Sequence, residues 1–114
     1  MIRKAEAMPL IEREALRGGI GCAKTQNCFT EEELKPHAGM VARITLAPGC
    51  SIGEHAHTED AELYYLLSGM AMANDNGEMV ELHAGDAMWT SGGARHAIIN
   101  HGTEPLVLLA VVTK

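Results

Sequence analysis

Apolar residues alternate with others between positions 40 and 46. Met40, Ala42, Ile44 and Leu46 fall on one parity, with Val41, Arg43 and Thr45 between them. A period of two gives an extended segment one firmly apolar face, so this stretch reads as a strand. Further short runs follow at 63–67, 70–73, 79–83, 87–90, 97–100 and 106–113. Between them stand Pro48-Gly49, Ser68-Gly69, Asn74-Asp75-Asn76-Gly77 and Ala84-Gly85-Asp86, residues that accept tight or left-handed backbone. Strands at this spacing, punctuated by glycine turns, predict an all-β sandwich or barrel. The runs are too short and too interrupted for a helical bundle.

The N-terminal third is less regular. Residues 1–20 begin with a strand and end in the flexible loop Gly18-Gly19-Ile20-Gly21, and 22–29 form a second strand. Thr30-Glu31-Glu32-Glu33 is a capping box that opens a helix, and Pro36 keeps it to about a turn. The chain divides into an N-terminal segment, 1–37, of strands and a short helical turn, and a barrel, 38–114.

At 114 residues this is one domain by size. Apolar residues make up 46% and charged residues 21%, as in ordinary globular proteins. With a net charge of −6 and scattered Lys and Arg (Arg3, Lys4, Arg13, Arg17, Arg43, Arg95), no basic stripe exists to neutralise a phosphate backbone. Nucleic acid is therefore not the expected partner. No apolar run approaches the ~20 residues that span a bilayer, and the N-terminus lacks the apolar core of a signal peptide. The expected location is the cytoplasm, away from membranes. Cys22, Cys28 and Cys50 cannot close into a disulfide set and read as reduced, half-buried side chains.

The chemistry lies in the histidines. In His55-Ala56-His57, a strand points both imidazoles to one face, with Cβ atoms about 6–7 Å apart, within reach of one metal ion. A helix would turn them apart. Glu62 has the opposite parity, so it joins them only if the polar segment 58–61 breaks the strand and Glu62 starts the next. Tyr64 and Leu66 then share its face. Glu59 and Asp60 are competing carboxylates, read here as a solvated turn. His96 follows a glycine loop, with Ile98 and Asn100 on its face. Arg95 points the other way.

These residues resemble the two cupin motifs. Gly49, His55, His57, Glu62 and Gly69 are separated by five, four and six residues, as in the first. Gly85, Gly93, His96 and Asn100 are similar to the second, with Ser91 in place of its proline. The resemblance implies a double-stranded β-helix, or jelly roll, around one divalent transition metal (Fe, Mn, Ni, Co, Cu or Zn) held by His55, His57, Glu62 and His96. Such a set leaves a position open for substrate. It further implies a small-molecule metalloenzyme of dioxygenase, decarboxylase, isomerase or lyase type. The alternative is a module that binds a sugar or small acid without turnover. Tyr64 is the candidate catalytic side chain. Small cupins resembling this one also pair as homodimers, and residues 1–37 are long enough to be exchanged between partners. The histidines at 37, 83 and 101 read as surface residues, and the methionines, including Met40, Met70, Met72 and Met88, as packing.

Overall fold

A computed structural model describes residues 1–114. The chain forms ten strands: β1 Leu10–Glu14, β2 Cys22–Asn27, β3 Ala38–Leu46, β4 Ser51–Ala56, β5 Ala61–Ser68, β6 Met70–Asp75, β7 Glu78–His83, β8 Ala87–Thr90, β9 Arg95–Ile99 and β10 Leu106–Thr113. They make a six-stranded sheet, ordered β1-β2-β3-β10-β5-β8, and a four-stranded sheet, ordered β4-β9-β6-β7. Every pairing is antiparallel. This is the two-sheet double-stranded β-helix that the strand spacing and motifs predict.

Alternation decides which residues enter the core. Ala42, Ile44 and Leu46 of β3 face inward with Leu106, Leu108 and Ala110 of β10 and Tyr64 and Leu66 of β5. Ile52, Ala71, Ala73 and Ile98 meet them from the smaller sheet. Each large aliphatic side chain removed from water this way contributes about 1.5–3 kcal/mol before entropy is counted. The methionines split: Met88 is buried in this core, and Met40 packs against it. His37, His83 and His101 are exposed, as their turn positions predict.

The turns follow their residues. Asn76 and Gly77 take φ of 51° and 98°, the left-handed pair of a tight hairpin, and Asn74 Oδ1 accepts the Gly77 amide at 2.8 Å. Gly69 turns at φ 85°, and a Cβ there would lie 2.6 Å from the Pro105 carbonyl oxygen. Asn100 clamps the loop before β10. Its Nδ2 donates to the Leu46 and Glu104 carbonyls at 2.8 Å, and its Oδ1 accepts from Gly102 N at 2.9 Å.

The N-terminal segment departs from its sequence reading in two details. Its first strand starts only at Leu10, after a 3-10 turn at Ala5–Ala7, and the second ends at Asn27. The glycine loop before β2 is not free: Ile20 N donates to Ser51 Oγ at 2.8 Å and Ser51 N to the Ile20 carbonyl at 2.8 Å. Gly19 and Gly53 lack the Cβ atoms that would block this approach. The capping box forms as read. Thr30 and Glu33 cap each other around the one-turn helix α1, Glu31–Leu34.

Candidate metal centre

Two sheets supply the site. On the smaller one, His55 of β4 stands directly opposite His96 of β9. His57 lies just beyond β4, where its amide donates to Ala94 and its carbonyl accepts from Gly93. The chain then bends through residues 58–60 and enters the larger sheet as β5, which carries Glu62. This break resolves the parity conflict between the histidine pair and Glu62. Tyr64 and Leu66 share the inner face of Glu62, and Ile98 and Asn100 that of His96; all are buried.

The ring nitrogens converge. His96 Nε2 is 3.0 Å from His55 Nε2 and 3.1 Å from His57 Nε2. Glu62 Oε1 lies 2.9 Å from His57 Nε2, 3.1 Å from His96 Nε2 and 3.6 Å from His55 Nε2. All four donor atoms fall within 4.8 Å of one another, a group that could hold a metal ion.

The outer nitrogens fix the tautomers. His55 Nδ1 bonds the Gly53 carbonyl at 2.8 Å and His57 Nδ1 the Asp60 carboxylate at 2.7 Å. A carbonyl and a carboxylate only accept, so both Nδ1 atoms carry the proton and both Nε2 atoms turn their lone pairs inward. The Thr90 hydroxyl engages His96 Nδ1 at 2.8 Å, and Thr90 is itself the register partner of Glu62 across β5 and β8. Inward lone pairs packed around a carboxylate repel one another unless a cation lies among them. The donor set therefore fits a divalent ion.

Burial pushes the Glu62 carboxyl up; where the imidazoles take a proton on Nε2 in place of a metal ion, hydrogen bonds from His55 and His96 and the imidazolium charges outweigh burial and hold the group at about 2. Tyr64 moves the other way. Burial first, then the Glu62 charge, raise its hydroxyl well above 10.0, with Arg17 opposing. Its ring stacks on His96 with centroids 4.7 Å apart and 16° between planes.

Asp60 corrects the sequence reading of a solvated turn. It is pulled inward by His57, three residues earlier, where the bend aims its carboxylate back at the ring. The sequence motifs do not include Thr90 or the Gly53 carbonyl, which hold the outer nitrogens of His96 and His55. Thr90 carries the right signal, an inward position on the strand that pairs with Glu62. Glu59 stays exposed in the turn. Arg95 lies outside, its Nε donating to Glu54 at 3.2 Å, as its parity opposite His96 requires.

Two antiparallel sheets closed over three histidines and a glutamate define the cupin class, and the cupin domain family matches residues 42–112. The chain belongs to that family. It is 37% identical over 113 residues to an oxalate-binding protein of Thermotoga maritima, covering 98% of this chain and 92% of that one. The crystal structure of a predicted oxalate decarboxylase from Thermotoga maritima superposes with a TM-score of 0.94 at 34% identity, over 99% of this chain and 98% of that one. The tetracenomycin polyketide synthase protein TcmJ of Streptomyces glaucescens is 35% identical over 81 residues; these are 71% of this chain and 54% of that protein.

Proposed function

We propose that the chain binds one divalent transition metal (Fe, Mn, Ni, Co, Cu or Zn) through His55, His57, Glu62 and His96, and acts on a small carboxylate such as oxalate in the adjoining cavity. The observation that carries this reading is the outward anchoring of the Nδ1 protons, which leaves the Nε2 atoms of His55 and His57 as bare donors facing Glu62 and His96. A bound metal would supply Lewis-acid polarisation of a carboxylate oxygen. The protein's part is to hold the ligand in a cavity where apolar side chains such as Leu16, Ile44 and Ile52 stand beside charged ones. Tyr64, kept neutral by burial and the Glu62 charge, offers a hydroxyl that donates without ionising. The likeness to the oxalate-binding and decarboxylase-type relatives supports the ligand class.

A second reading, binding without turnover, has its own support. The other carboxylates around the cavity are engaged, Asp60 by His57 and Glu31 by Lys114 at 3.6 Å, so no free acid–base pair faces the ligand. Metal analysis of protein purified without chelator, beside His96→Ala and the isosteric Glu62→Gln, tests the site. Metal in the parent and a sharp loss in both variants supports it. No uptake by the folded parent, even after reconstitution with Fe, Mn, Ni and Zn, overturns it. Carbon dioxide release from oxalate by the loaded protein then favours the enzyme, and saturable binding without release the binding module.

We also propose a homodimer in the cytoplasm. Half-buried free thiols suit a reducing compartment. The outer face of the larger sheet is apolar at its β10-β5-β8 end: Leu63, Tyr65 and Leu67 of β5 lie beside Trp89 of β8 and Leu109 and Val111 of β10. Trp89 is 55% exposed, Leu67 48% and Tyr65 40%. A second copy would cover this face. In this reading residues 1–37 are the exchanged segment. β1 is exposed along its whole length and hangs on the sheet by β2 alone.

A further inference from the structure

A cavity of about 410 Å³ runs from the histidine–glutamate group to the N-terminal segment. Its inner end holds His55, His57, Glu62 and Tyr64; its outer rim carries Arg13, Arg17 and Lys114. Three of the chain's nine Lys and Arg residues thus line one cavity in a protein of net charge −6. Most other well-placed cations have partners. Arg3 is paired with Glu33, Arg95 with Glu54 and Lys114 with Glu31. Neither Arg13 nor Arg17 makes an ion pair or a side-chain hydrogen bond. An unpaired guanidinium at a cavity rim is a fork of donors matched to a carboxylate.

Arg17 is the better placed of the two. Arg13 lies on the exposed edge strand β1. Arg17 sits in the 3-10 turn Leu16–Gly18 with φ 55°, left-handed backbone that a non-glycine residue adopts only when its surroundings impose it. The surroundings are visible. The Arg17 carbonyl passes so close to Gly53 that a Cβ there would collide with it. The next residues are tied to β4 through Ile20 and Ser51. Gly53 is also the residue whose carbonyl orients His55, at 2.8 Å from Nδ1. One glycine therefore registers both the Arg17 turn and the first histidine.

We infer that Arg17 anchors the ligand: its guanidinium takes the outward carboxylate of a small dianion whose other end lies at the His55, His57, Glu62 and His96 group. This rests on the metal-site reading and adds the residue that selects a second negative charge. A cation at each end of one cavity favours a dicarboxylate over a monocarboxylate or a neutral sugar.

The test is calorimetric titration of oxalate, malonate and acetate into manganese-loaded parent, Arg17→Met, Arg17→Lys and Arg13→Met. Oxalate or malonate affinity is expected to fall about tenfold or more in Arg17→Met, the loss of a hydrogen-bonded charge. Arg17→Lys should fall less. Acetate affinity and manganese content should match the parent in every variant, and Arg13→Met should bind the dianions normally. Dianion binding by Arg17→Met equal to the parent overturns the inference. So does an equal loss for acetate and dianions, or a loaded parent that binds neither dianion. A parent that takes up no metal fails at the earlier step and refutes the metal site instead.

Discussion

The Asp60 carboxylate accepts a hydrogen bond from Nδ1 of His57 at 2.7 Å, which turns the other nitrogen of that ring toward Glu62. An acidic partner also makes the imidazole a stronger donor to a metal. Removing it should weaken the site without emptying it, because His55 and His96 keep their own partners, the Gly53 carbonyl and Thr90. Asp60→Ala is expected to lower metal affinity by about 10–100-fold. Asp60→Asn, which can still accept through its carbonyl oxygen, should lose less. Competition with a metal-sensitive dye reads both. Parent-like affinity in Asp60→Ala would show that the carboxylate does not tune the site. The Asp60 side chain is 32% exposed, so the fold should tolerate either change.

The convergence of His55, His57, Glu62 and His96 was legible in the sequence from the cupin-motif spacing, and strand parity supplies its physical reason. Two histidines two apart, a polar break before Glu62 and a glycine loop before His96 fix which faces they occupy, and β4 and β9 then set His55 beside His96. What parity cannot fix is the aim of a side chain in a turn. Asp60 looks like a solvated acid until the bend at 58–60 is known. Arg17 is hidden for a similar reason. Gly18-Gly19 suggests a flexible loop, whereas the absence of a Cβ at Gly19 and Gly53 lets that loop close on β4. The same atoms that make a glycine run look loose on paper allow its tightest contact.

The apolar outer face makes the oligomeric state a measurable consequence of one side chain. Trp89 projects from the β8 edge of the larger sheet, away from the core, beside Leu63 of β5. Large aromatic side chains of this kind dominate the energetics of interfaces. Light scattering on the parent is expected to give twice the 12.2 kDa chain mass. Trp89→Lys should shift it to a single chain at micromolar concentration, while the far-ultraviolet circular dichroism spectrum stays the same. A parent of single-chain mass refutes the dimer. A Trp89→Lys variant that still pairs moves the interface off this face.

Arg3 and Glu33 tie the start of the chain to α1. Arg3 Nη1 and Nη2 lie 2.6 and 2.9 Å from the two Glu33 oxygens, and Glu33 also caps Thr30 N at 2.8 Å. The Arg3 hydrogen bond first, then the Thr30 amide, lower the Glu33 carboxyl from 4.5 to about 2. A carboxyl depressed in the folded state stabilises that state only while ionised. Its contribution is therefore complete above 4.5 and disappears as the pH falls through about 2. The pair is solvent-exposed, so its effect is local and weakened by salt. Hydrogen exchange at the Glu33 and Leu34 amides, which the capping box and the first helical turn hold, should be faster in Glu33→Gln than in the parent at pH near neutrality. The difference should shrink as the pH drops from 4.5 toward 2, because the parent then loses the same charge. Arg3→Met should show part of the same behaviour, since it spares the cap on Thr30. A difference that stays constant over this range would mean that Glu33 acts here through shape alone and that its charge contributes nothing.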